Sequence, residues 1–435
     1  MHGDGATSGA EAERRFIVEA LDRYWPAAHE AILALPVPRA AARATTTPPE
    51  LARVALPEWA ADVGVDGGLL VPAAALMGGP GEPWRRCDWL GAALWYLSGE
   101  AERLHEARHG PIHGYGLRLA GWDPAMWERA WVNRIALFLR RQAERDGCTF
   151  APLPAPEVRL THDLDAVEKT AAIRCKQAAF GAFNAARELR RGAPLRAAGK
   201  ARQAARFLLG PGDFAQLETV ARLEEELGLR STVNVHGSGG GWARSPRALL
   251  LDPGYDARRT DVARALADLA RRGFTIGLHP GVATWDDAAA LRRERTRVEE
   301  AAGTPVITVR QHWLRFGWER TWAAQEAAGL AEDTSLGFND RPGFRAGAAL
   351  RFHPWDPRAR RARRIAAVPL VLMDSHLHDY RLLSARERPR EMRRWIDEVR
   401  AVCGVATVLW HPHTLSPDYG WRPGFEELLA ILSRG

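Results

Sequence analysis

The chain has 435 residues, 46% of them hydrophobic and 26% charged. That balance excludes a mainly disordered chain, a fibrous repeat and a polytopic membrane protein, and the length suits two domains or one large domain with an accessory piece. The net charge is +7, yet only three of the 60 basic residues are lysine, Lys169, Lys176 and Lys200. Arginine in that excess, beside much alanine, reads as a habit of composition more than as selection for a polyanion, so no nucleic-acid partner is expected.

Four cysteines (Cys87, Cys148, Cys175, Cys403) are scattered with no CxxC pair. They are too few for a disulfide framework and wrongly spaced for a zinc knuckle, which points to a reducing compartment. The N-terminal MHGDGATSGAEAERRF has no apolar signal core, and no window approaches 18 consecutive apolar residues. The expectation is a cytoplasmic protein, with a place at the periphery of the inner membrane left open.

In chain order, residues 1–56 start polar and become helical around Phe16, Val18, Leu21 and Trp25. The stretch 84–146 is rich in tryptophan. Within it, MWERAWVNRIALFLRRQAER (126–145) puts Trp127, Trp131, Ile135 and Phe138 at helical spacing, which predicts a helix with its aromatic stripe in a core. APLPAPE (151–157) holds three prolines in seven residues and reads as a linker. The predicted division is an accessory domain of unknown role over 1–152, mainly helical or α/β, and a second domain over 153–435.

Past the linker, short apolar runs alternate with amphipathic helices. Strands are predicted at Val158–Thr161, Thr232–Val235, Phe274–Leu278, Val306–Val309, Ala331–Ser335, Val368–Met373 and Ala406–Trp410. Helices are predicted at Phe214–Leu227 and Asp261–Arg272, with Gly228 and Gly273 as their C-terminal stops. This alternation argues for parallel βαβ units, and about seven of them suit a distorted (β/α)7 barrel better than an open sheet. In such a barrel, chemistry collects at the C-terminal ends of the strands.

The strand ends are where the polar residues fall. The first ends in Thr161-His162-Asp163-Leu164-Asp165, the next in Val235-His236-Gly237, the third in Gly277-Leu278-His279-Pro280 and the fourth in Arg310-Gln311-His312-Trp313. Later ones end in Met373-Asp374 and Trp410-His411-Pro412-His413. Histidine is 14 of 435 residues, yet five of them lie at or just past a strand end, with His413 two residues further on. A random scatter would not do this, so the clustering marks one site.

Asp163 and Asp165, two apart in a strand, face one cavity. Two carboxylates that close repel unless a cation sits between them or one is protonated. One carboxylate with neutral imidazoles suits zinc, iron, cobalt or nickel, and the other is then free to act as a general base. His279, ahead of a proline, is the first imidazole candidate and His312 the second. Arg310 shares a face with His312 and would hold Asp163 ionised. His411, on the last strand beside the first, is placed to protonate a leaving group.

These motifs resemble the polysaccharide deacetylase family, a distorted (β/α)7 barrel that removes acetyl groups from sugars with one divalent metal. Thr161–Asp165 is similar to its first motif, which implies Asp163 as base and Asp165 as metal ligand. Ile276-Gly277-Leu278-His279 resembles the start of its HxxxH motif, Arg310 its arginine motif and Leu409-Trp410-His411 its last motif. The runs LTHDLDAVEK, GLHP, RQHWLRF, GFRAG, VLMDSHL and LWHPHTLSPDYGW are similar to a bacterial subgroup with an extra N-terminal domain. The resemblance covers 157–435 and implies a hydrolase for an N-acetylated sugar of a surface glycan or lipid-linked intermediate. It implies one divalent ion, zinc first, on Asp165, His279 and His312. The family's second histidine would fall at Ala283. Either His312 or His236 then supplies the missing ligand, or the barrel is a degenerate member that binds glycans or acts as a scaffold.

Other pieces are assigned by position. His162, His236, Arg345, Asp374 and His413 are expected beside the ligands or the substrate cleft. GSGGGW (237–242) lacks the lysine and spacing of a phosphate-binding loop and reads as a flexible rim. Residues 171–210 carry nine basic side chains and one acid, Glu188, interleaved with Phe180, Phe183, Phe207, Leu208 and Leu209. A barrel does not need this insertion. It reads either as a solvated helical cover or as a stretch that lies on an anionic membrane surface.

Overall fold

The computed structural model describes residues 4–40, 46–239, 251–381 and 383–434. Of the expected rim loop 237–242, residues 240–242 lie outside them. Before the linker come helices α1 (Asp4–Ala20), α2 (His29–Leu33), α3 (Trp89–Leu97), α4 (Glu100–His109) and α5 (Trp131–Arg145). Strands β1 (Leu51–Ala55) and β2 (Gly68–Pro72) pair as an antiparallel hairpin among them.

The aromatic stripe is buried as the spacing predicts, but the single helix over 126–145 is two pieces. Pro124 opens a short 3₁₀ turn to Trp127, capped by Asp123, and α5 starts afresh at Trp131. Trp89, Trp95, Trp127, Trp131 and Phe138 are buried, and the apolar core they form runs unbroken to Val233, Leu278 and Val309 of the barrel. Polar contacts follow the same path: Asn133 donates to the Ala349 carbonyl at 2.7 Å, and the Tyr24 hydroxyl to that of Val402 at 2.7 Å.

The main sheet is parallel and carries β3 (Glu157–Leu164), β4 (Thr232–His236), β5 (Thr275–His279), β6 (Thr308–Val309) and β7 (Glu332–Asp333). A small antiparallel pair follows, β8 (Trp355–Asp356) with β9 (Arg361–Ala362). The main sheet resumes with β10 (Ala366–Ala367), β11 (Leu370–Met373) and β12 (Val405–Leu409). Its order is β10-β7-β6-β5-β4-β3-β12-β11. The two edge strands are separated in the chain only by Val368 and Pro369. The sheet therefore curls until one segment, 366–373, pairs with β7 at its start and with β12 at its end. This is a distorted barrel.

Two further helices, α6 (Ala171–Arg190) and α7 (Pro194–Leu209), make a hairpin between β3 and α8 (Leu217–Glu225). The outer layer continues with α9 (Thr260–Arg271), α10 (Ala288–Ala302), α11 (Thr321–Ala327), α12 (Glu387–Ala401) and α13 (Arg422–Leu432). Val262, Leu266 and Leu269 bury one stripe of α9, as their spacing predicts. Gly228 (φ 69°) and Gly273 (φ 89°) stand in the left-handed region just past α8 and α9, which lets the chain turn back toward the next strand.

Alternation along β3 decides what enters the barrel. Arg159 crosses the floor to Glu332 at 3.0 Å, and Asp163, four residues on, reaches the upper rim. Between these levels Arg310 spans the interior to Thr334 at 3.0 Å and Thr407 at 3.1 Å.

Candidate active site

Three strands supply one row of the rim: Asp163 on β3 lies level with Asn234 on β4, and Asn234 with Gly277 on β5. The Asn234 amide donates to Asp163 Oδ1 at 2.8 Å. Gly277 leaves the space that this amide needs, since a Cβ there would stand 2.3 Å from Asn234 Oδ1 and 2.7 Å from Thr308 Oγ1. Asn234 has no place among the residues expected from the sequence. Its signal is a lone amide inside the apolar run TVNVH.

Above this row, three donor atoms converge. His279 Nε2 lies 2.8 Å from His312 Nδ1 and 3.3 Å from Asp165 Oδ1, and His312 Nδ1 lies 3.6 Å from the same oxygen. The far nitrogen of each ring faces a backbone carbonyl: His279 Nδ1 meets Arg310 O at 2.7 Å and His312 Nε2 meets Leu251 O at 2.8 Å. A carbonyl only accepts, so each far nitrogen carries the hydrogen and each near nitrogen of a neutral ring presents a lone pair. Asp165 Oδ1 is buried and has no hydrogen-bond partner among the described residues. Three lone pairs thus face one point, an arrangement that asks for a cation.

The spacing fits one. Ligand bonds of about 2.0–2.1 Å in a tetrahedral site put donor atoms roughly 3.3 Å apart, and the three edges scatter around that value. In an ion's absence the charge goes to protons. Burial opposes a charge on His279, but Asp163 and Asp165 outweigh it and raise the imidazole pKa. Burial likewise opposes ionisation of Asp165, and the three neighbouring imidazoles overcome it, holding this carboxyl well below the usual range.

The turn that presents His312 is strained. Trp313 (φ 55°) and Leu314 (φ 44°) both occupy the left-handed region, which large side chains avoid at a cost of about 1–3 kcal/mol each. Both residues line the cavity beside the histidine.

On the opposite side, His411 follows β12 and points Nε2 toward Asp165 Oδ2 at 3.6 Å. Its Nδ1 lies 2.9 Å from Asp374 Oδ1, and its backbone N–H donates to Asp374 Oδ2 at 2.8 Å. Ser375 N–H and the Thr414 hydroxyl also donate to Asp374, at 2.7 Å and 3.3 Å. Asp374 is fully buried.

These groups line a cavity of about 550 Å³. Polar chemistry occupies its floor, while Trp313, Met373, Tyr419 and Trp421 form apolar walls. One wall comes from the insertion: Gln177, Phe180, Phe183 and Arg187 of α6. Gln311 also faces the cavity, fully buried, with both its amide nitrogen and oxygen unpartnered among the described residues.

The remaining expected residues divide. His413 lines the cavity, packed against Tyr419, and burial together with the His411 charge lowers its pKa to about 4. His236 sits beside the centre, its Nδ1 3.2 Å from the His279 carbonyl, but its ring is 6.1 Å from that of His312 and outside the converging set. His162 does not face the site. It points outward between β3 and α8, where it meets Glu224 Oε1 at 2.6 Å and the Trp410 carbonyl at 2.5 Å. Arg345 is not at the cleft either. Its guanidinium is buried against Glu102 of α4 at 2.8 Å, flanked by Phe316 and Phe338, because a cation sealed from water needs a carboxylate. Burial lowers the Arg310 pKa, and the charges of Asp163 and Asp333 oppose it only in part; its hydrogen bonds go to the two threonines, and Nη1 has no partner among the described residues. The group that touches Asp163 directly is Asn234.

No protein-family profile matches the chain. No curated protein matches it either. Solved structures similar to it include a candidate polysaccharide deacetylase from Mycobacterium smegmatis, at 15% identity and TM-score 0.38, over 66% of this chain and 86% of that one. A mutant CE4-family pseudoenzyme with restored enzymatic activity is similar at 10% identity and TM-score 0.31, over 66% and 68%. The T48 deacetylase with substrate is similar at 11% identity and TM-score 0.28, over 64% of this chain and 83% of that one.

Proposed function

We propose that the chain is a metal-dependent hydrolase that removes the acetyl group from an N-acetylated sugar of a surface glycan or lipid-linked intermediate, acting on an amide C–N bond. The observation that carries this reading is the convergence of one Asp165 oxygen with one ring nitrogen each of His279 and His312, between a second carboxylate and a histidine paired with Asp374. The motif likeness in the sequence agrees with it. Two imidazoles and one carboxylate suit zinc, with cobalt, nickel or iron as alternatives.

A divalent ion held there supplies positive charge to polarise a carbonyl and to lower the pKa of a water. Asp163, oriented by Asn234, is placed to take a proton from the attacking water. His411 holds a proton on Nε2 for the departing nitrogen, and Asp374 keeps the ring oriented. Water adds to the carbonyl carbon, the C–N bond breaks, and acetate and a free amine leave. Gln311 offers one donor and one acceptor to a substrate hydroxyl or amide in the cavity.

Ala283, where the resembled family has a histidine, favours a second reading: a degenerate barrel that binds glycans or serves as a scaffold. Metal analysis and acetate release separate the two. The hydrolase reading expects about one divalent ion per purified chain and chelator-sensitive acetate release from N-acetylated oligosaccharides. His312→Ala should weaken metal binding by more than the 10–100-fold that a merely supporting residue costs. Undiminished metal binding in that variant, or acetate release that survives Asp163→Asn, overturns the assignment.

A further inference from the structure

We infer that the α6–α7 hairpin is a docking element for an anionic lipid bilayer, and that it sets the mouth of the cavity against the headgroups. Three observations converge on this surface. The first is apolar exposure: Leu195 is 89% exposed, Leu209 84% and Phe183 62%, with Phe180, Leu189 and Leu208 exposed beside them. These six are most of the large apolar side chains that the described residues leave in water.

The second is charge. A hairpin that only covers a barrel in water is expected to interleave acids with bases along its outer face. This one does not. Glu188 is the one acid of 171–210, and it is buried beside Arg191 at 3.4 Å. Arg190, Arg196, Arg202 and Arg206 are all exposed. On α7, Leu195, Ala198, Arg202, Ala205 and Leu209 recur at intervals of three and four, and every one of them is exposed. The surface therefore offers alkyl groups and guanidinium groups with no carboxylate between them, the pairing that an anionic interface accepts.

The third is continuity. Phe180 and Phe183 stand exposed at the rim of the cavity, which the same helix also walls with Gln177, Asn184 and Arg187. A bilayer lying on the hairpin would meet the cavity at its rim. Resting on the hydrolase reading, this makes the substrate a sugar carried on a lipid, delivered in the plane of the membrane and not from bulk water. The docking itself does not depend on that reading.

The test uses the whole chain and vesicles of phosphatidylcholine with or without about one third phosphatidylglycerol. Sedimentation should show binding on the order of tenfold tighter to the anionic vesicles, weakened by salt. Two exposed-surface variants, Leu195→Ser/Leu209→Ser and Arg190→Gln/Arg202→Gln/Arg206→Gln, should each lower it roughly tenfold or more while metal content and thermal unfolding stay unchanged. Vesicle binding that is absent, equal on neutral lipid or untouched by both variants overturns the inference. So does a chain whose mass doubles in solution and returns to the monomer in the leucine variant, since the surface is then an interface between copies. A chain that binds vesicles but neither metal nor acetylated sugar leaves the docking standing and removes the hydrolase.

Discussion

Asp374 grips His411 at two points, the ring Nδ1 at 2.9 Å and the backbone N–H at 2.8 Å. Burial alone would depress the imidazole, but the Asp374 charge and hydrogen bond outweigh it and raise the pKa to about 10. The ring is therefore an imidazolium at neutral pH, with its free N–H aimed at the site. Asp374→Asn keeps the shape and removes the charge. Acetate release should fall by about 10²-fold or more, the usual share of a positioned acid. The imidazole pKa drops with the charge gone, so the alkaline limb of the pH–rate profile should move to lower pH. A limb that stays in place argues against His411 as the donor.

Gly277→Ala tests how Asp163 is held. The new methyl group would meet Asn234 Oδ1 at 2.3 Å and Thr308 Oγ1 at 2.7 Å, so the amide must leave Asp163. Overpacking of this kind costs about 1–3 kcal/mol. Acetate release should fall with stability. Adding Asn234→Ala makes room for the methyl and should restore much of the stability without the activity. Denaturant melts and acetate assays on the same three proteins read this out.

Glu102 and Arg345 form a buried ion pair, 4% and 0% exposed, that joins α4 to the barrel. Glu102→Ala leaves a sealed guanidinium alone and should cost about 3–5 kcal/mol in chemical denaturation. Replacing both partners, Glu102→Leu with Arg345→Met, should cost far less. A small effect of the single change would mean that the N-terminal helices are held by other contacts.

Glu106, on the same helix, has its pKa raised to about 7 by burial and then by the charge of Glu102. Its folded pKa lies above its unfolded one, so the folded chain holds this proton more tightly. The stabilisation is full below about pH 4.5 and is lost as pH rises toward 7. Glu106→Gln can still accept from the Trp318 N–H, which Glu106 receives at 3.0 Å. The variant should lose less stability between pH 5 and 8 than the parent, as thermal melts across that range will show.

The strand ends of the barrel are legible because their chemistry is local. A short apolar run that stops in an aspartate or histidine gives both the element and the direction of the side chain, and Asp165, His279 and His312 meet as that pattern implies. The outward turn of His162 was available from the same rule, since neighbours on a strand take opposite faces. What the sequence does not carry is pairing at a distance. Arg345 finds Glu102 243 residues away, and nothing near either residue announces the other. Asp374 sits at a strand end like many acids, and only the parallel pairing of β11 with β12 brings it to His411. The strand expected at Val368–Met373 is β11 alone from Leu370 onward, and Ala366–Ala367 just before it pairs with β7, a different neighbour.

That divided segment has a consequence for how the molecule behaves when crowded. An open sheet of eight parallel strands would present two rows of unpaired amide and carbonyl groups, each able to recruit another chain. Here the first and last strands are successive stretches of one piece of backbone, and Pro369 at the changeover has no amide hydrogen to offer. Their outer sides are met from within the chain, where Phe352 bridges Ala367 and the Leu370 N–H donates to the Leu336 carbonyl at 2.9 Å, which leaves less of either row for a stranger to extend.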